Sequence, residues 1–155
     1  LLKMSGEVLT GGGQIPIDPN VLDRIVVEIE EIHQLGVQVA IVIGGGNFFR
    51  GEALSEVGIS RITGDHMGML STIMNALALR DAFERAEIPI RVLSAVPVTG
   101  VVDLFNLRKA VHHLNQNQQR QLSFLILYSI HPLIPLIYLY FFQKLINPNL
   151  YLIKI

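Results

Sequence analysis

The run Ile41-Val42-Ile43 and the Gly44-Gly45-Gly46-Asn47-Phe48-Phe49-Arg50-Gly51 stretch after it constrain this chain more than any other segment. A β-branched, wholly apolar run has no polar face. It therefore reads as a strand buried on both sides, as in a parallel sheet covered by helices. Three glycines at its carboxyl end remove every Cβ, so the backbone can turn tightly and present its N–H groups. Open parallel sheets take ligands in the crevice beyond their strand ends, and glycine-rich turns there cradle phosphate. The alternative is a plain strand-to-helix turn, for which one glycine normally suffices.

The flanking sequence supplies the elements such a sheet needs. Leu1 to Gly6 reads as a short strand entering a turn, and Gly11 to Pro16 as a loop. Asp18-Pro19 has the form of a helix start, with Asp18 as cap and Pro19 at the first helical position. Leu22, Ile25, Val26, Ile29 and Ile32 then recur at helical spacing, and Leu35-Gly36 closes the helix. Val37 to Ile43 is the buried strand, and Asn47 to Ile59 a short helix and loop. A long helix is expected from Gly64 to Ala86, with Met67, Leu70, Ile73, Met74, Leu77 and Phe83 as core positions. A third strand spans Ile88 to Ser94, broken by Pro89, and a further helix spans Leu104 to Leu114. The β-α-β-α-β-α order predicts right-handed crossovers and an α/β protein, a three-layer α/β/α sandwich with a mainly parallel sheet.

Composition divides the chain in two. Overall the net charge is −1, which gives no electrostatic case for nucleic acid or an anionic membrane. There is no cysteine, so disulfides and thiolate metal sites are excluded, in keeping with a cytoplasmic location. The chain starts at Leu1 within a strand, with no signal peptide, and is expected to lack its natural N-terminus. All thirteen Asp and Glu and all thirteen Gly fall in residues 1–118. Residues 119–155 hold none of these, no Ala and no Val. At ordinary usage such a gap has a probability on the order of one in a million. The expectation is a domain fragment over 1–118 and an aberrant apolar tail over 119–155, read from another frame or through an intron. Leu122 to Phe142 is uncharged and long enough to span a bilayer. However, His131, Pro132 and Pro135 interrupt it, and no membrane anchor is expected.

Lys3, Gly6, Gly45, Gly46, Arg50 and Asp65 fall near strand ends or helix starts, the edge where ligands collect. Lys3 is either a point charge for bridging phosphates or a strand-end lysine in solvent. Ser5-Gly6 offers a hydroxyl and an N–H, or is a simple turn. Arg50, four residues beyond the glycines, can fold back over an anion or pair with Glu52 or Glu56. Asp65 either caps the long helix or accepts hydrogen bonds from sugar hydroxyls. His66, His112 and His113 read as surface residues, since no metal-ligand partner stands at helical spacing.

Three blocks recur together at fitting intervals: Leu2-Lys3-Met4-Ser5-Gly6-Glu7, Val42 to Gly51, and Gly64-Asp65-His66-Met67-Gly68-Met69-Leu70, followed by Met74-Asn75-Ala76-Leu77-Ala78. Over residues 1–118 the chain resembles bacterial uridylate (UMP) kinase, of the amino-acid kinase family. The resemblance implies a cytoplasmic homohexamer that transfers the γ-phosphoryl of ATP, held with Mg2+, to UMP. It implies that Lys3, Met4, Ser5, Gly6, Gly46 and Arg50 contact ATP, with Lys3 and Arg50 catalytic, and that Gly45 and Asp65 contact UMP. In that family a strand and a Gly-Thr-Gly-Asn-Pro-Phe-Phe-Thr-Thr-Asp motif follow, embracing UMP. Here Gln121 to Phe124 takes the strand's place and Ser129 to Ile137 the motif's. The chain is therefore expected to be impaired or inactive as a kinase. The alternative is a non-catalytic nucleotide-binding or hexamer-interacting fragment.

Overall fold

The computed structural model describes residues 2–36, 39–49, 54, 56–106, 108–110 and 112, together with the backbone of two strands at 124–127 and 153–154. Strand β1 (Leu2–Met4) leads into a 3-10 helix, Gly6–Thr10, with Ser5 as its N-cap. Helix α1 spans Pro19–Gln34 and strand β2 Ala40–Ile43, while the long helix α2 covers Arg61–Arg85. Strands β3 (Ile90–Ser94) and β4 (Asp103–Leu104) follow, then β5 (Phe124–Leu127) and β6 (Ile153–Lys154).

The six strands form one sheet in the order β4-β3-β5-β2-β1-β6, every neighbouring pair parallel. The steps from β1 to β2 and from β2 to β3 run in one direction across the sheet. Right-handed crossovers then place α1 and α2 on the same face. Arg85 of α2 accordingly reaches Asp23 of α1 at 3.2 Å and also pairs with Asp81 on its own helix.

One core lies between these helices and the sheet. Val21, Leu22, Ile25, Val26 and Ile29 of α1 meet Met4, Ile41, Ile43, Leu79, Phe83 and Val92 there. Ile41 and Phe83 have no exposed surface. Each fully buried aliphatic or aromatic side chain of this kind contributes roughly 1.5–3 kcal/mol.

Helix α1 begins and ends as its sequence predicts: Asp18 Oδ1 accepts from Asn20 N–H at 2.9 Å, and Gly36 takes a φ of 79° beyond the last turn. Ile32, expected in the core, sits at its rim and is exposed.

Helix α2 corrects the prediction more deeply. It starts three residues before Gly64, because Ser60 is the cap and accepts from Thr63 N–H at 3.2 Å. Asp65 is therefore inside the second turn and caps nothing. Ile73 and Phe83 are buried as expected, and Met67 and Leu77 are half-buried. Leu70 and Met74, predicted core, are 51% and 47% exposed.

Strand β3 begins after Pro89, as a missing N–H dictates. In the predicted 104–114 helix, Asp103–Leu104 is instead a strand beside β3. The helical residues, 108–110 and 112, follow Asn106, whose Oδ1 accepts from Arg108 N–H at 2.9 Å. Within the predicted 47–59 segment, Leu54 and Glu56 are helical. Val37, Gln38 and the positions between Arg50 and Ala53 lie outside the described residues, as do Gln121 to Ser123.

The tail does not leave the sheet open at β2. Strand β5 comes from it, three residues later than the Gln121–Phe124 expectation, and takes the central slot: Ile41 pairs with Ile126, and Val92 pairs with the same residue from the other side. No helix among the described residues is long and apolar enough to cross a membrane.

Candidate functional site

The carboxyl ends of β1 and β2 are stitched together where the chain leaves the sheet. Gly44 N–H donates to Met4 C=O at 3.0 Å, so the Ser5-Gly6 turn and the Gly44–Gly46 turn stand side by side. Gly6 is buried in that seam. A Cβ there would lie 2.6 Å from both Asn47 Oδ1 and Gly44 O, so only glycine fits without movement. Ser5 is exposed, and its Oγ accepts from Glu7 N–H at 3.4 Å as the cap of the 3-10 helix. Met4 turns its side chain into the core, at 5% exposure. Lys3 alternates to the opposite side of the strand and is exposed; its ammonium has no ion-pair partner among the described residues.

The glycine turn rests on α2. A Cβ on Gly45 would fall 2.0 Å from Ser71 Oγ and 2.7 Å from Gly68 O, whereas one on Gly46 would meet nothing nearer than 3.6 Å, at Glu7 Oε1. There is no room for a methyl at Gly45, whereas at Gly46 one would make ordinary van der Waals contact with Glu7. Ser71 Oγ lies 3.1 Å from Gly45 O and 2.8 Å from Gly68 O. Asn75 Nδ2 donates to Gly44 O at 2.7 Å.

Asn75 also forms a reciprocal amide pair with Asn47. Its Nδ2 donates to Asn47 Oδ1 at 2.7 Å, and Asn47 Nδ2 donates back to Asn75 Oδ1 at 2.9 Å. The second Asn47 N–H reaches Pro16 O at 2.8 Å and ties the 11–17 loop to the same point. Both N–H bonds of each amide are thus used, and no buried side-chain N or O among the described residues lacks a partner. The N–H groups of Gly45 and Gly46, by contrast, make no hydrogen bond among the described residues.

Asp65 is exposed and lies one helical turn before Gly68, on the same side of α2. The structure therefore brings Lys3, Ser5, Gly6, Gly45, Gly46 and Asp65 to one edge of the sheet. Arg50 lies outside the described residues. Ser71 and Asn75 escaped the sequence reading. Their signal was there: Gly68, Ser71, Thr72 and Asn75 keep the i, i+3, i+4, i+7 spacing of a buried stripe, but with small and polar side chains.

The chain as a whole has relatives of known family. The sequence pattern of the amino acid kinase family matches residues 1–134. The chain belongs to the amino acid kinase family. The match runs past residue 118 into the apolar tail, as far as the segment that holds β5. Among relatives, a uridylate kinase of Coxiella burnetii is 67% identical over 118 residues, covering 76% of this chain and 49% of that protein. One from Legionella pneumophila strain Corby is 58% identical, covering 76% and 48%. The solved UMP kinase of Bacillus anthracis superposes with a TM-score of 0.74 at 35% identity, over 81% of this chain and 50% of that one. For the UMP kinase of Ureaplasma parvum the values are 0.69, 30%, 80% and 51%. This amino acid kinase chain thus spans about half the length of the curated relatives it matches, and its fold is theirs, a parallel sheet with helices packed against it.

Proposed function

We propose that this chain carries the phosphate-binding edge of a uridylate kinase, which moves the γ-phosphoryl of ATP to UMP and yields UDP. The observation that carries the reading is the Gly44–Gly46 turn at the carboxyl edge of β2, with two N–H groups that make no hydrogen bond among the described residues. The strongest support beside it is the 67% identity to a protein of that name.

Phosphoryl transfer asks little covalent chemistry of a protein and much positioning and charge stabilisation. In this reading the Gly46 amide, Lys3, Arg50 and the Ser5-Gly6 turn receive ATP phosphates. The Gly45 amide faces the UMP side, and Asp65 accepts hydrogen bonds from the ribose hydroxyls. Met4 takes part through its backbone, since its side chain is buried. Mg2+ arrives bound to ATP and offsets phosphate charge. Among the described residues no group of three His, Cys, Asp or Glu stands together to hold a metal. The exposed Leu70 and Met74 on α2 suit assembly into the homohexamer that the family resemblance implies.

The chain spans half of its relatives, so we expect nucleotide binding with turnover far below that of a full-length relative. A coupled assay of UDP formation tests this, with UMP compared against other nucleoside monophosphates and small carboxylate acceptors. Slow, UMP-selective turnover is the expected result. Preference for a carboxylate acceptor would overturn the substrate assignment, and full-length rates would overturn the impairment.

A further inference from the structure

The stripe Gly68, Ser71, Thr72 and Asn75 is unusual for the buried face of a helix. Ser71 and Asn75 have no exposed surface and Thr72 only 4%, positions where apolar side chains would ordinarily pack. A buried hydroxyl or amide stabilises little beyond the cost of its own desolvation. What these groups do accomplish is directional. Asn75 Nδ2 donates to the Gly44 carbonyl. The single Ser71 hydroxyl proton is shared between the carbonyls of Gly68 at 2.8 Å and Gly45 at 3.1 Å. The Gly45 carbonyl also accepts from Phe48 N–H at 3.2 Å. Two successive C=O groups thus face α2.

The described chain has no cis peptide bond, and across a trans peptide the N–H points opposite to the C=O. Gly45 N–H and Gly46 N–H are therefore both turned away from α2, the side on which neither has a partner among the described residues. Successive N–H groups aimed the same way make a concave anion site. Asn47 completes the device. By donating to Asn75 Oδ1 it fixes which end of the Asn75 amide faces Gly44.

We infer that Ser71 and Asn75 are positioning residues that orient the Gly45 and Gly46 amides toward a nucleotide phosphate, with Asn47 setting the orientation of Asn75. The inference rests on the nucleotide-binding reading above and adds the groups that aim its donors.

The test uses the full 155-residue chain labelled with 15N and titrated with ATP and, separately, UMP. In the unmodified chain the amide signals of Gly45 and Gly46 shift on saturation. Ser71→Ala and Asn75→Ala each weaken nucleotide affinity about 3- to 10-fold, the factor expected for one lost hydrogen bond, and reduce those two shifts. Affinity is measured well below each variant's unfolding midpoint, so a loss of stability alone leaves it unchanged. Ser71→Ala removes a single oxygen and decides the matter if Asn75→Ala does not fold. Unchanged affinity and unchanged Gly45 and Gly46 shifts in a folded variant would overturn this inference while leaving the nucleotide reading standing. Absence of any shift in the unmodified chain would overturn both.

Discussion

Gly45 and Gly46 are neighbours in sequence, yet different physical demands act on them. A methyl at Gly45 would collide with Ser71 Oγ and the Gly68 carbonyl, and backbone cannot step aside cheaply. Gly45→Ala is expected to destabilise the chain by about 1–3 kcal/mol. Gly46→Ala, whose methyl would make only ordinary van der Waals contact with the Glu7 side chain, should stay within about 0.5 kcal/mol. Urea unfolding of the two variants checks the contrast; equal destabilisation would mean that the turn does not lie on α2 as described. The glycine triplet itself was plain in the sequence, and so was its place at a strand end. What the sequence hid was the division of labour, since that depends on Gly68 and Ser71, more than twenty residues away. Asn75 was hidden for the same reason: in a linear reading it is one polar residue within a helix, and its partners, Gly44 and Asn47, lie across the fold.

Among the elements, α1 was legible because three local signals agreed: a capping Asp18, Pro19 at the first position, and apolar residues at helical spacing. Helix α2 was less so. Both Ser60 and Asp65 are competent caps, and only the bond from Thr63 N–H to Ser60 Oγ shows which one acts. Ser60→Ala is accordingly expected to cost about 0.5–2 kcal/mol. Asp65→Asn, at an exposed position in the second turn, should change stability by no more than about 0.5 kcal/mol while weakening UMP binding. Thermal unfolding paired with UMP titration of both variants separates the two roles. Stability lost at Asp65 rather than Ser60 would contradict the helix start. The apolar spacing of Leu70 and Met74 misled for a different reason. Periodicity identifies a face but not what covers it, and this face of α2 looks outward.

At the scale of the molecule, the sheet depends on a segment that composition sets apart. Strand β5 stands between β2 and β3 and pairs with both. Without it the pairing of β3 and β4 is severed from that of β2 and β1. Apolar residues that alternate in neither charge nor polarity can still fill a central strand, because a strand covered on both faces needs only apolar side chains. The compositional break at 118 was visible in the sequence, and the resemblance put a strand at Gln121 to Phe124. The strand's position three residues later, and its partners, were not visible, since β-pairing is set by non-local partners. Deleting residues 119–155 is expected to abolish cooperative unfolding and yield aggregating material, because β2 and β3 then present unpaired edges. A two-state thermal transition in the deleted chain would show that β5 is dispensable.

In the proposed function, the edge built from Ser5-Gly6 and Gly44–Gly46 holds nucleotide phosphate. Equilibrium dialysis of the intact chain against ATP and against UMP checks this. Saturable binding of both is expected, weakened when Lys3 is replaced by alanine. A folded chain that retains neither nucleotide at millimolar concentration would contradict it.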